Sequence, residues 1–325
     1  MKTKGTFSIF TSRFSLLYKV IAYLLLITII FSVLGVAAFV PTLKGVISEL
    51  KNIGIKESII NYVNALLKGD ASGSNITINE AYNNLVISID KVFHVLDNHD
   101  TAVIVASVFL FAFIILFMYA YHLVYYTTSG VIHAFMSSNS RYGFASNFVA
   151  NLKKSSLFSV LYTPLVVIYY LLAIMLIVVL TLVASKINGY FGIWFGYLLS
   201  VALLALRRTL FTAWIPAMVV DGKNPIEALK INEKFIKKRF LKLFSYYFTA
   251  YMTAIVALAI FTILTAAVAT IFMFAAILVI FQVIDMVEYY TYFGYKYYID
   301  DQTVVDPKRK YRDAVLENPN NLEQK

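Results

Sequence analysis

"LFSYYFTAYMTAIVALAIFTILTAAVATIFMFAAILVIFQVI", residues 243 to 284, contains no charged side chain. As one straight helix it would be roughly 60 Å long at about 1.5 Å per residue, twice the ~30 Å hydrocarbon core of a bilayer. The run therefore folds back, and it reads as two membrane crossings, 244–265 and 270–292, with a tight turn near Thr265 to Thr270. The rest of the chain follows the same pattern: 60% of the 325 residues are hydrophobic, 14% are charged and the mean hydropathy is +0.74. An ordinary soluble domain carries about 25% charged residues.

Four further runs approach the length of about 20 apolar residues that a spanning helix needs: 20–40, 102–125, 157–184 and 187–206. The expectation is an all-α polytopic membrane domain of six helices over 1–298, with an extracytoplasmic insertion at 41–100 and a polar cytoplasmic tail at 299–325. The basic leader before the first run (Lys2, Lys4, Arg13, Lys19) resembles a signal peptide. The apolar run exceeds the roughly 7 to 15 residues of a cleavable core, so it reads as a retained anchor.

Lys and Arg number 28 against 18 Asp and Glu. With the N-terminus inside, 22 of the 28 fall on the inner side: the leader, Arg141 with Lys153 and Lys154, the stretch from Arg207 to Lys242, and the end from Lys296 onward. Basic residues near span ends are retained in the cytoplasm, so both termini are expected there. The positive balance then records orientation and implies no nucleic-acid partner. There is no cysteine, which excludes disulfides and thiolate chemistry.

"LALRRTLFTAWIP", residues 204 to 216, places two permanent charges in this apolar setting. Arg207 and Arg208 end the fourth predicted helix, and the twelve residues Thr209 to Val220 are too few to cross again. Either they lie along the interface or the helix continues inward and carries the arginines deeper. Asp285 and Glu288, at i and i+3 near the end of the sixth helix, share one helical face. Ionisable groups at membrane depth turn inward and pair, so Arg207 or Arg208 is expected to meet Asp285 or Glu288. The alternative is four interfacial residues solvated separately. Tyr289, Tyr290, Tyr292, Tyr295, Tyr297 and Tyr298 follow, a cluster expected to anchor at the interface.

"DGKNPIEALKINEKFIKKRFLKLF", residues 221 to 244, begins with Asn224 as cap, Pro225 in the first turn and Glu227 in capping-box position. Ile226, Leu229, Ile236, Phe240 and Leu243 form an apolar stripe. Lys230, Lys234, Lys237, Lys238, Arg239 and Lys242 are the candidate contacts for anionic lipid headgroups of an interfacial helix. The loop "RYGFASNFVANLKKSSLFSVLY" has a similar order. Setting Lys153–Lys154 over Lys237–Lys238 gives a repeat with an offset of 84 residues.

"VVDGKNPIEALKINEKFIKKRF", Val219 to Phe240, resembles the corresponding segment of the YciC-like and glycerophosphodiester phosphodiesterase membrane-domain group of six-helix bacterial proteins. "YKYYID" near the end supports the likeness. Members often have Ser where this chain has Asn232. The resemblance implies an integral protein of the bacterial cytoplasmic membrane and carries over no catalytic residue, because the soluble phosphodiesterase domain of some relatives is absent.

In the insertion, Leu43, Val46, Ile47 and Leu50 suit one helix, and Ile55, Ile59, Val63, Leu66 and Leu67 a second. The turn "GDASGSN" leads to a third helix capped by Thr77, with Ile78, Leu85 and Val92 interleaved with Tyr82, Ile89 and Leu96 at seven-residue spacing. A small helical cap is expected. The sequon at Asn75 matters only in a eukaryotic secretory route.

The histidines, His94, His99, His122 and His133, form no metal-ligand spacing, and no catalytic or cofactor pattern occurs. The expected function is non-enzymatic: membrane organisation, lipid interaction, or assembly with other membrane proteins or with itself. A solute or lipid permease, or an accessory subunit of a transporter, is the first alternative, and a membrane-embedded enzyme the second.

Overall fold

The computed structural model describes residues 2–68, 78–140, 143–187, 189–264 and 268–308. The turn at 69–75, the sequon Asn75, the cap Thr77, the centre of the turn at 265–267 and the tail beyond 308 lie outside the described residues. In chain order the helices are α1 (Lys2–Ser12), α2 (Phe14–Thr42), α3 (Lys44–Asn52), α4 (Ile55–Lys68), α5 (Ile78–Asn98), α6 (Asp100–Ser138), α7 (Phe144–Ala150), α8 (Leu152–Ser185), α9 (Gly189–Phe211), α10 (Trp214–Val220), α11 (Pro225–Leu264) and α12 (Val268–Phe293). A short antiparallel hairpin, β1 (Tyr297–Tyr298) with β2 (Val304–Val305), pairs Tyr297 with Val305. Six helical segments are long and apolar enough to cross a membrane: α2, α6, α8, α9 with α10, α11 and α12. The protein is an all-α, multi-pass membrane protein.

The chain divides into two compact units, residues 1–27 with 118–325, and residues 28–117. In the larger unit the buried residues come from the N-terminal parts of α2, α8 and α11 and the C-terminal parts of α6, α9 and α12. These parts alternate in chain direction, so they meet at one end. Elsewhere the spans stay apolar outward: Leu172, Met175 and Leu182 of α8 are all more than 60% exposed. This is the pattern lipid permits, because a tail is as good a neighbour for Leu as another helix. α12 is the most enclosed span, with 67% of its apolar window buried.

α8 and α9 approach closely where α9 has Gly192 and Gly196. A Cβ at Gly192 would lie 2.8 Å from the Ser185 Cα, and one at Gly196 would lie 2.6 Å from Thr181 Oγ1. This is the spacing of a small-residue membrane packing motif.

The structure differs from the sequence reading in several places. α9 runs to Phe211 and, after a two-residue break, the chain continues as the buried α10, so Thr209 to Val220 extends the fourth span inward. The basic stretch 225–243 is continuous with the fifth span in a single 40-residue helix, α11. Its buried side is Ala228, Asn232, Phe235, Leu243 and Tyr247, while Ile226 and Leu229 of the expected stripe are 64% and 37% exposed. The two long helix–short helix–long helix series, α6–α7–α8 and α9–α10–α11, are spaced by 70 residues between the starts of α7 and α10. The offset of 84 is therefore not the structural one. Lys153–Lys154 stands in the first turn of α8, whereas Lys237–Lys238 lies more than three turns into α11.

In the smaller unit, α4 and α5 pack through Ser58, Ala65, Ala81 and Ser88, with the Ser58 and Ser88 hydroxyls 2.8 Å apart. Leu85 and Val92 are half-buried, but Ile59, Val63, Tyr82 and Ile89 are exposed, so the seam is made by small side chains. α3 buries Val46, and His99 Nε2 lies 2.9 Å from Glu49 Oε1.

Candidate functional site: a buried ionic centre

Arg207 and Arg208 are both 6% exposed, Asp285 is 3% exposed and Glu288 is 4% exposed, so none of the four stands separately in solvent. Arg208 Nη2 donates to Asp285 Oδ2, joining α9 to α12. The Tyr247 hydroxyl of α11 donates to the other carboxylate oxygen, Asp285 Oδ1, at 2.5 Å. Asp285 therefore ties three spans together. The Arg208 guanidinium also lies 5.5 Å from the Phe281 ring and 5.8 Å from the Tyr125 ring. Aromatic faces at this range stabilise a desolvated cation.

Glu288, one turn further along α12, meets different partners. Arg239 Nη1 lies 3.0 Å from Glu288 Oε2, and Lys242 Nζ lies 3.9 Å from the same oxygen. Arg239, grouped with the lysines in the sequence reading, thus serves an ion pair inside the protein. Lys230, Lys234, Lys237, Lys238 and Lys242 are exposed on the rest of α11.

Arg207 is about 100° around α9 from Arg208 and points to neither carboxylate. Among the described residues it has no acidic partner, and its Nε has no hydrogen-bond acceptor. Its guanidinium lies 5.1 Å from the Tyr170 ring of α8, within electrostatic reach of Tyr162, Tyr251 and Tyr125.

Polar side chains that sequence reasoning did not select complete the centre. Ser129 Oγ of α6 donates to Gln282 Oε1 of α12 at 2.6 Å, and both residues are fully buried. Gln282, Asp285 and Glu288 follow one another at i, i+3 and i+6, so a polar residue one turn before Asp285 was the available signal. Asn232 of α11 seals the α9–α10 break: its Oδ1 accepts from the Ala213 N–H at 2.9 Å, and its Nδ2 donates to the Leu210 carbonyl at 2.8 Å. A helix break inside a membrane protein persists where such groups are satisfied by a neighbour. Asn147 of α7 similarly donates to the Thr127 carbonyl of α6 at 2.9 Å. Gly130 makes room for it, since a Cβ there would overlap the Asn147 amide.

The tyrosine cluster at the end of α12 is largely internal. Tyr289, Tyr290 and Tyr297 are 0%, 2% and 4% exposed. Tyr289 donates to Asp221, and the Tyr290 hydroxyl lies 2.6 Å from His133 Nδ1. Burial pushes the Tyr297 phenol above its ordinary value. His122 is buried, with Nδ1 2.8 Å from Thr163 Oγ1. Among the described residues no three His, Asp or Glu side chains converge as a metal site.

A crevice of about 420 Å³ lies between α1, α11 and α12, lined by Phe7 and Phe10, Ala250 and Ala257, and Ala276 and Ile280 among others. Tyr246 stands at its wall, and Lys242 lies one helical turn before Tyr246 on α11. Comparisons with protein-family models, with curated proteins and with solved structures found no match.

Proposed function

We propose that this is a non-enzymatic integral protein of a bacterial cytoplasmic membrane, with both termini in the cytoplasm, that engages anionic lipid and organises other membrane proteins or copies of itself. The likeness of Val219 to Phe240 to the YciC-like group is part of this proposal, as is the orientation drawn from the basic flanks. The observation that carries it is the division of α11 into two faces. One face is committed to the bundle through Asn232, Arg239 and Tyr247, while Lys230, Lys234, Lys237, Lys238 and Lys242 are exposed along the rest of the same helix half. The apolar crevice begins on the turn after Lys242, so a lipid with a negative headgroup finds a cation and a surface for its chain side by side. A basic residue near an anionic leaflet contributes about 1 kcal/mol.

The test is lipid selection by the purified protein in nanodiscs of mixed phosphatidylglycerol and phosphatidylcholine. The native chain is expected to enrich phosphatidylglycerol in its annulus, and replacement of the five lysines by Gln is expected to abolish that enrichment without unfolding the protein. Equal retention of both lipids by the native chain would contradict the proposal. A permease, or an accessory subunit of one, is the second reading, and the observation that favours it is the buried cation Arg207.

A further inference from the structure

Arg208 and Arg207 are equally buried, yet only Arg208 has a carboxylate. With Glu288 engaged by Arg239 and Lys242, the centre made by α9 and α12 holds two guanidinium groups and one carboxylate among the described residues, leaving one positive charge over. A cation in a membrane domain is costly, and such residues mark sites where a partner is met. The groups around Arg207 are mostly phenols, drawn from three helices: the Tyr170 ring of α8 lies 5.1 Å from the guanidinium, and Tyr162 of α8, Tyr125 of α6 and Tyr251 of α11 are within electrostatic reach, as are His122 of α6 and, beyond ion-pair distance, Asp285.

We propose that Arg207 is the recognition point of a buried site for one oxyanion, a phosphate or a carboxylate, gripped by the guanidinium and by the hydroxyls of the tyrosines gathered around it. Three observations converge on that chemistry. The guanidinium is a planar fork of N–H donors matched to a pair of oxygens; its buried Nε lacks an acceptor, as does that of Arg208, and what sets Arg207 apart is that it has no carboxylate within ion-pair distance among the described residues. The surrounding phenols are neutral donors, so they add hydrogen bonds to an anion without cancelling the charge that attracts it. Tyr169, adjacent in sequence, has its hydroxyl on the Leu203 carbonyl at 2.6 Å and takes no part. Tyr170 and Tyr251 are half-buried, whereas Tyr125 and Tyr162 are buried. A polar group of a ligand can come from either of two sources, the headgroup of an anionic lipid or a free anion in water, and both present the same oxygens to Arg207.

The experiment measures the thermal unfolding midpoint of the purified protein in two arms. In the first, the protein sits in phosphatidylcholine nanodiscs and inorganic phosphate is titrated against chloride at equal ionic strength. In the second, phosphatidylglycerol replaces part of the phosphatidylcholine. The native chain is expected to be stabilised in one arm, because a ligand that binds only the folded state raises its midpoint. Arg207→Gln is expected to weaken the apparent affinity in that arm about tenfold or more, as loss of a charge-assisted hydrogen bond does. A response to phosphate identifies a free anion, and a response to phosphatidylglycerol identifies a lipid. In either case the five-lysine variant keeps the part of the response that Arg207→Gln removes, which separates this site from the lysine face. No response of the native chain in either arm overturns the proposal, and so does a response that Arg207→Gln leaves unchanged. Should Arg207→Gln not fold, Tyr170→Phe serves instead: a weakened response supports the site, and an unaltered one overturns it.

Discussion

Arg208 of α9 and Asp285 of α12, 77 residues apart in sequence, form an ion pair whose side chains are 7% and 5% exposed. In lipid the pair and Tyr247 together join three spans that have little hydrophobic reason to choose one another. Removing one member leaves the other charged and enclosed. Arg208→Gln or Asp285→Asn is therefore expected to destabilise the protein by about 3–5 kcal/mol. The double substitution Arg208→Met with Asp285→Leu is expected to recover most of that loss. A double-mutant cycle read by thermal denaturation in detergent checks this, with a coupling of about 2 kcal/mol or more for 208 with 285 and a distinctly smaller one for 207 with 285, which interact only at longer range.

The Tyr247 hydroxyl contributes a smaller part. Tyr247→Phe keeps the ring, which lies 6.1 Å from that of Phe281, and removes one bond to a carboxylate. A loss of about 1.5–3 kcal/mol in the same assay is expected, near the value for a hydrogen bond to a charged group.

At the α9–α10 break, Asn232→Leu deprives the Ala213 N–H and the Leu210 carbonyl of their partner. Each buried unsatisfied group costs about 1–3 kcal/mol. Asn232→Ser is too short to reach both, and its midpoint is expected between those of the native chain and Asn232→Leu.

The close approach of α8 and α9 gives a purely steric test. Gly196→Val would drive a side chain into Thr181, and Gly192→Val into Ser185. Either is expected to lower the unfolding midpoint by several degrees, consistent with overpacking costs of about 1–3 kcal/mol. Ala substituted for Gly at 222, where nothing lies within 4 Å, meets no neighbour and is disfavoured only by its backbone φ of +66°.

The six spans are legible in the sequence because the thickness of lipid imposes a length that few other structures share. Which faces of the spans pack together is not legible in the same way. In lipid a large apolar side chain gains little by turning inward, so small and polar residues mark many of the contacts: Ala228 and Asn232 on α11, Gly192 and Gly196 on α9. A search for apolar stripes passes over all of these. The charged candidates were visible as charges, but their phase was not. Adjacent residues diverge by about 100° on a helix, and nothing in "RR" tells that Arg208 faces α12 while Arg207 faces the tyrosines of α8. Arg239 was hidden among lysines for the same reason, since only the register of a continuous α11 directs it to Glu288.

The central claim is that the Arg208–Asp285 pair, with Ser129 and Gln282 beside it on α6 and α12, is a closed structural core in a membrane-spanning bundle. Cysteine labelling tests it directly, because the chain has no cysteine of its own. Single Ser129→Cys, Gln282→Cys and Lys238→Cys variants are treated in native inside-out vesicles with a membrane-impermeant maleimide. The account predicts rapid labelling at 238 and none at 129 or 282 until the protein is denatured. Labelling of 129 or 282 in the native membrane, at a rate approaching that of 238, would show water at the ionic centre and contradict it.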